Sequence, residues 1–217
     1  MRPAHALPFA LCCLLAWLAA GPARAGAWLR AEGDGFSSWS IKVQDGADSK
    51  GYSTLYAEYG LNPDLTGGLD IGSDETGDYK ALAFVLMPIR RDTLHVAFQL
   101  AAGAIANDPA LRPGISVGRG LRIGGLDGWA NVDLRAPITP GDVDLAIDAT
   151  LGLTVWEGTK MIWQLQQGGA PHAPDFLRAT ASVVWQVSAG RHIEVGTTTS
   201  LINAEDFGLQ IGIWKTF

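Results

Sequence analysis

Cysteine is almost missing from this chain. The two present, Cys12 and Cys13 of 217 residues, both lie near its start. If that start is a removable leader, the remainder has no disulfide, no thiol nucleophile and no cysteine metal site. Charge is sparse too. Asp, Glu, Lys and Arg make up 18% of the residues, and the net charge is −6. Setting aside Arg2 and Arg24 leaves 14 of the 16 basic residues against 22 acidic ones, a balance of −8. Such a surface repels phosphates, so nucleic acid is excluded as a partner. Long apolar runs are absent beyond the leader, and none approaches the ~20 residues of a membrane-spanning helix. Periodic amphipathic helices are equally scarce.

The leader has the marks of a secretory signal peptide. Arg2 and His5 precede an apolar run from Leu7 to Ala20, and Ala23-Arg24-Ala25 supplies a small-x-small cleavage site. The run is too short to cross a bilayer. Phe9-Ala-Leu-Cys12 lacks the small residues that precede a lipidated cysteine. The expected boundaries are a signal peptide over 1–25 and a single domain over 26–217.

Glycine and tryptophan, by contrast, are plentiful, with 27 and 8 copies. Alternation is the dominant pattern. Val143, Leu145, Ile147, Ala149, Leu151, Leu153 and Val155 take every odd position of one stretch, opposed by Asp144, Asp148, Thr150 and Thr154. Ala130, Val132 and Leu134 oppose Asn131, Asp133 and Arg135. Ala179 to Val187 and Leu94 to Leu100 repeat the pattern. In the closing stretch, Phe207, Leu209, Ile211 and Ile213 share one face, and Gly208, Gln210 and Gly212 the other. A period of two with one apolar face indicates strands.

Tight turn signals occur at Asn62–Asp64, Pro88–Asp92, Gly124–Gly128, Trp156–Gly158 and Ala189–Arg191. Looser polar segments fall between them, at 44–50, 73–78, 107–113, 137–142, 168–175 and 203–206. Short turns alternating with longer loops mark an up-and-down transmembrane barrel, which leaves no edge strand exposed to lipid. The expected fold is therefore all-β: one antiparallel barrel of about twelve strands, with ten as the lower count. The spans are 35–43, 51–61, 65–72, 79–88, 93–105, 114–123, 126–136, 143–155, 159–167, 177–188, 191–201 and 207–217. Both mature termini then lie on the periplasmic side.

Two stretches depart from the pattern. Ala81 to Pro88 is apolar on both faces, so alternation does not orient it. Arg119 falls among the outward residues Ile115, Val117, Leu121 and Ile123, and a bulge at Gly118 or Gly120 is one way to turn it inward.

The last strand resembles the assembly signal of bacterial outer-membrane barrels, a polar residue and a Gly two later, then alternating hydrophobics ending on an aromatic. Gln210, Gly212 and Phe217 carry the match, and Lys215 departs from it. The mature chain also resembles a family of uncharacterised Gram-negative outer-membrane proteins, small porin-like barrels. The resemblance rests on Gly26-Ala-Trp-Leu-Arg30, Gly33-Asp-Gly-Phe36, Leu55–Leu61, Leu111-Arg-Pro-Gly114, Gly118-Arg-Gly120 and the closing strand. It implies a barrel in the cell outer membrane and brings no catalytic residues. Its partners would be outer-membrane lipid and, through the C-terminal strand, the barrel-assembly machinery. The oligomeric state is left open.

Alternation assigns inward positions to Lys42, Glu58, Asp70, Lys80, His95, Gln99, Arg122, Asp133, Arg135, Asp144, Asp148, Gln164, Arg178, His192 and Glu194. They read either as a filling network of ion pairs or as the lining of a narrow pore. A barrel of about eight strands is filled and one of sixteen is open, so twelve lies between. The slight acidic excess of this set predicts a weak preference for cations if the pore is open. Trp28, Trp39, Tyr52, Tyr59, Trp156, Trp163, Trp214 and Phe217 are expected at the membrane interfaces.

Catalysis finds little support. The positions two after His95, His172 and His192 are Ala97, Pro174 and Glu194, so the His-x-Ser pair of outer-membrane phospholipases is missing. A Ser–His–Glu set could still assemble from Ser182 or Ser188 with His192 and Glu194. Asp142, Asp144 and Asp148, and Asp74, Glu75 and Asp78, match no calcium-loop spacing and read as solvated acids. No metal or other cofactor is expected, and no enzyme. The leading reading is an outer-membrane barrel that is a narrow passive channel for small solutes or a structural barrel. The alternatives are an outer-membrane lipid hydrolase or acyltransferase, and a soluble secreted β-sandwich.

Overall fold

A computed structural model describes residues 26–45, 50–75, 77–168, 176–202 and 207–217. The expected signal peptide lies outside the described residues. Strands are β1 (Gly35–Asp45), β2 (Lys50–Asn62), β3 (Leu65–Asp74), β4 (Tyr79–Arg91), β5 (His95–Ile105), β6 (Asp108–Ile123) and β7 (Leu126–Arg135). Two-residue strands β8 (Ile138–Thr139) and β9 (Asp142–Val143) follow. The rest are β10 (Ala146–Trp156), β11 (Thr159–Gly168), β12 (Phe176–Ser188), β13 (Arg191–Ile202) and β14 (Phe207–Thr216).

Each long strand pairs antiparallel with the next along the chain, β7 pairs with β10, and β1 pairs with β14 from Phe36–Thr216 to Asp45–Phe207. The ring is closed, with twelve barrel strands among the described residues. Closure satisfies the backbone without an edge, which the β-sandwich alternative does not do.

Alternation built this ring. Trp39, Ile41 and Val43 of β1 and Leu209, Ile211 and Ile213 of β14 point outward and are exposed. Facing the other way are Ser38, Ser40, Lys42, Gln210 and Trp214, around the interior cavity. Ser40 and Thr54 hydroxyls meet at 2.7 Å, and Thr180 donates to Thr198 at 3.2 Å across neighbouring strands of the inner wall.

One end of the barrel has tight connections, such as Gly124-Gly125, where both residues take positive φ (58° and 86°) as a two-residue hairpin demands. Both Gly35 and Phe217 lie at this end, joined by Gly35 N–H to Phe217 O at 2.6 Å and Phe217 N–H to Gly35 O at 3.0 Å.

The structure moves several boundaries. Of the expected loop 107–113, residues 108–113 are strand: β5 turns into β6 through Ala106 and Asn107, both at positive φ (47° and 73°). The prolines there mask a strand that tolerates them. Pro113 O accepts from Ala136 N–H, so its missing N–H points past the end of β7 and costs β5 no ladder bond. The expected strand 143–155 begins later, at Ala146, because Asp144 N–H is drawn to Pro137 O, 2.9 Å away, by the small β8–β9 hairpin.

Ala81 to Pro88 acquires an orientation. Leu82, Phe84 and Leu86 face inward and are at most 3% exposed. They pack with Ala97, Ala101 and Ala110, and with Leu29, Tyr56 and Ile105, into an apolar wall. This part of the lumen is thus filled with hydrocarbon. Arg119 stays outside: β6 and β7 keep strict register from Gly114–Arg135 to Ile123–Leu126, and Arg119 pairs with outward Ala130. It lies four residues before the end of β6. At ~3.3 Å per residue and a tilt near 45°, it is about 9 Å below the interface, within reach of a long guanidinium stem.

Candidate functional site: the barrel lumen

Inside the tight-turn end lies a segment that is not part of the wall. Gly26 to Asp34 enters the lumen from β2 and crosses toward β7. Gly60 N–H donates to Asp34 O and Gly33 N–H to Gly60 O, each at 3.0 Å, and Glu32 forms a parallel bridge with Gly60. A Cβ on Gly60 would meet Ala31 O at 1.9 Å, so only glycine admits this approach. Arg30 N–H donates to Thr66 Oγ1 at 2.9 Å, and its Nε pairs with Glu58 at 2.6 Å. Glu58 also accepts from Tyr56 Oη at 2.6 Å. At the far end, Ala27 N–H donates to Asn131 Oδ1 at 3.1 Å.

Trp28 occupies a seat made for it. Its ring is 5.2 Å from that of His95, and it lies on Gly118, where a Cβ would come within 2.6 Å. Ala27 and Trp28 form one buried cluster with Trp129, Ile162 and Val184, against which Trp214 packs. The segment therefore joins an apolar cluster on each side of the lumen, Leu29 on the wall of Leu82 to Leu86 and Trp28 on the other.

Beyond the segment, the lumen is polar and its charges are mostly paired. Asp70 binds Lys80 Nζ at 2.7 Å and Arg112 Nη1 at 2.6 Å. Arg112 also donates to Gln99 Oε1 at 3.3 Å. Arg135 bridges Asp133, at 3.0 Å, and Asp148, while Ser116 Oγ donates to Asp133. On the opposite wall, Lys42 donates to Gln166 Oε1 at 3.4 Å and has no salt bridge among the described residues. Glu194 accepts from Trp214 Nε1 at 3.0 Å. Gln164 lines the same cavity, and Arg178 stacks its guanidinium over Phe176 at 5.1 Å.

The sequence-based set thus gathers at the lumen with exceptions. Arg122 sits on the tight-turn rim, 3.7 Å from Asp127, with its side chain 74% exposed. Asp144 leaves the wall with the β8–β9 hairpin. His95 and Glu58 contact the inner segment rather than open space. Trp28, Tyr52 and Trp214 are interior, not interfacial, whereas Trp39, Tyr59, Trp156, Trp163 and Phe217 are exposed on the outside. His192 is 6.5 Å from Trp214 on the inner face. No hydrogen bond links it to Ser182, and among the described residues the Ser182 hydroxyl and His192 Nδ1 are both without a partner. Ser188 pairs with Arg191 at the turn. Asp148, grouped by sequence with Asp142 and Asp144, is turned to Arg135.

Three cationic residues were missed. Arg112 was hidden by the expected loop at 107–113, Arg30 by its place before the first strand, and Lys160 by its nearness to a turn. Alternation on β6 and β11 places Arg112 and Lys160 inward, with buried Ser116 and Ile162. These additions change the charge of the lumen. Arg30, Lys42, Lys80, Arg112, Arg135, Lys160 and Arg178 face Glu58, Asp70, Asp133, Asp148 and Glu194, seven cations against five carboxylates. The preference for cations inferred from sequence loses its basis.

The remaining interior cavity measures about 320 Å³ and runs from Thr216 and Trp214 past Gly26 to Lys42 and Gln166. Spread over a hydrocarbon core of ~30 Å, that is a mean cross-section of about 11 Å² open to the centres of water molecules, a narrow passage rather than a wide bore. A larger hollow, about 620 Å³, lies outside, among Ala130, Ala149, Ala181, Thr197 and Trp163 on the lipid-facing side.

A closed ring, an apolar outer girdle and a polar, narrowed interior define a transmembrane β-barrel. Solved structures of that class share the fold. The KdgM porin aligns with a TM-score of 0.67 at 7% identity, over 84% of this chain and 99% of that one. A second structure of KdgM, in complex with disordered oligogalacturonate, aligns equally well at 0.67. The NanC porin gives 0.64 at 10% identity, over 82% and 98%. An outer-membrane channel from Pseudomonas putida F1 gives 0.51 at 11%, over 91% and 99%. No protein-family model matches the chain, and no curated protein matches it in sequence.

Proposed function

We propose that this protein is a narrow passive channel of the outer membrane, without enzymatic activity, that favours small anions over cations. The observation that carries this reading is the inner face as a whole, seven cations against five carboxylates in a chain that is acidic overall, while the lining of the open cavity alone is balanced at four of each. Fixed charge in a narrow, low-dielectric passage attracts ions of opposite sign and repels like ones. Lys42 borders the cavity, donates to Gln166 and has no salt bridge among the described residues. One of the similar barrels was solved with oligogalacturonate, whose units carry carboxylates. That sense of charge agrees with the basic lumen here, although a cavity of about 320 Å³ suits ions and small acids better than a sugar chain.

The chain is also proposed to belong with the small Gram-negative outer-membrane proteins it resembles. Gln210, Gly212 and Phe217 would be the signal read by the barrel-assembly machinery. Lipid-facing Lys215 would snorkel at the rim, its Nζ 5.3 Å from the Phe217 ring.

The test is a reversal potential in planar bilayers under a potassium chloride gradient. Anion preference is expected. Lys42→Glu, which brings the lumenal balance to zero, is expected to move the potential toward that of an unselective pore. A cation-selective wild type would refute the proposal.

A further inference from the structure

Resting on the channel reading, we propose that the lumenal segment Gly26–Arg30 is the constriction of the channel, and that the seated ring of Trp28 holds it across the lumen. The wall alone would not make the passage so narrow at the tight-turn end. A twelve-strand ring lies between filled and open barrels. What fills this one at that end is the segment, which unites the two apolar clusters across the lumen.

The two halves of the segment are held differently. Arg30 to Asp34 is tied to β2 and β3 by three backbone-donated hydrogen bonds and the buried Glu58 pair. Among the described residues, Gly26 to Trp28 is held by one hydrogen bond, to Asn131, and by the seat of the Trp28 ring on Gly118. Gly26 itself borders the open cavity. Trp28 is the largest side chain of the segment and sits on the wall at Gly118 rather than on that cavity, so its removal would free Gly26 and Ala27 to leave the passage. The anchored half would stay in place, so the ring of strands keeps its registers.

The experiment compares wild type, Trp28→Ala and a chain in which Leu29 follows Ala25 directly. Each is refolded in lipid and checked for heat-modifiable gel mobility before recording. The probes are chloride and gluconate, and the readout is single-channel conductance together with the gluconate-to-chloride permeability ratio. At least a twofold rise in conductance and a higher ratio are expected for both variants. The shortened chain keeps the inference testable if Trp28→Ala does not fold. Wild-type values in every folded variant would overturn the constriction and leave the channel reading intact. A silent wild type with conducting variants would support the constriction and overturn the resting-channel reading. Silence in all of them would overturn both.

Discussion

Asp70 offers a direct test of how the lumen is held together. Its carboxylate is 13% exposed and serves two cations, Arg112 at 5% and Lys80 at 27%. Asp70→Asn keeps the shape but leaves both without their counter-charge. Breaking a buried pair by removing one partner costs about 3–5 kcal/mol. Lys80 retains part of its hydration from lumenal water, which favours the lower figure, about 3 kcal/mol. At ~1.4 kcal/mol per tenfold, the folding equilibrium falls by about a hundredfold. Urea unfolding in lipid vesicles, followed by tryptophan fluorescence and gel mobility, measures this. Adding Lys80→Met and Arg112→Met is expected to recover most of the loss, because the unpaired charges disappear. The reasoning fails if Asp70→Asn lies within ~0.5 kcal/mol of wild type, a difference typical of unremarkable surface changes. It fails equally if the triple variant is no more stable than the single one.

Other outcomes follow from the same geometry. Gly118→Val removes the seat of Trp28 and is expected to destabilise by about 1–3 kcal/mol through overpacking, read from the same unfolding curves. Ile211→Arg puts a charge near the middle of the lipid face and should cost about 2–4 kcal/mol. Arg119→Leu should change stability by no more than ~1 kcal/mol, since Arg119 lies close enough to the interface to snorkel; a gain of several kcal/mol would place it at mid-bilayer instead.

Much of the ring was legible because lipid outside and polar groups inside enforce a period of two. β1, β10 and β14 show this most plainly: Ile41, Leu151 and Ile211 alternate with Lys42, Thr150 and Gln210. Legibility ended where the lumen stopped being polar. Leu82, Phe84 and Leu86 face inward on β4, so Ala81 to Pro88 has two apolar faces and no visible orientation. Pro109 and Pro113 read as a loop, since only three-dimensional pairing shows that their missing N–H groups face away from β5. The inner segment was the least legible part. Its side chains follow neither strand nor helix period, and their partners, Glu58, Thr66, Gly118 and Asn131, lie 28 to 104 residues away. Gly118 was a faint signal, read as room for a bulge when it is room for a tryptophan.

The central claim is that the lumen is a thin, basic water path. Flux from proteoliposomes tests it most directly, with chloride and a disaccharide trapped together inside. Rapid chloride escape with retention of the sugar is predicted. Equal escape of both, or retention of both by correctly folded protein, would contradict the account.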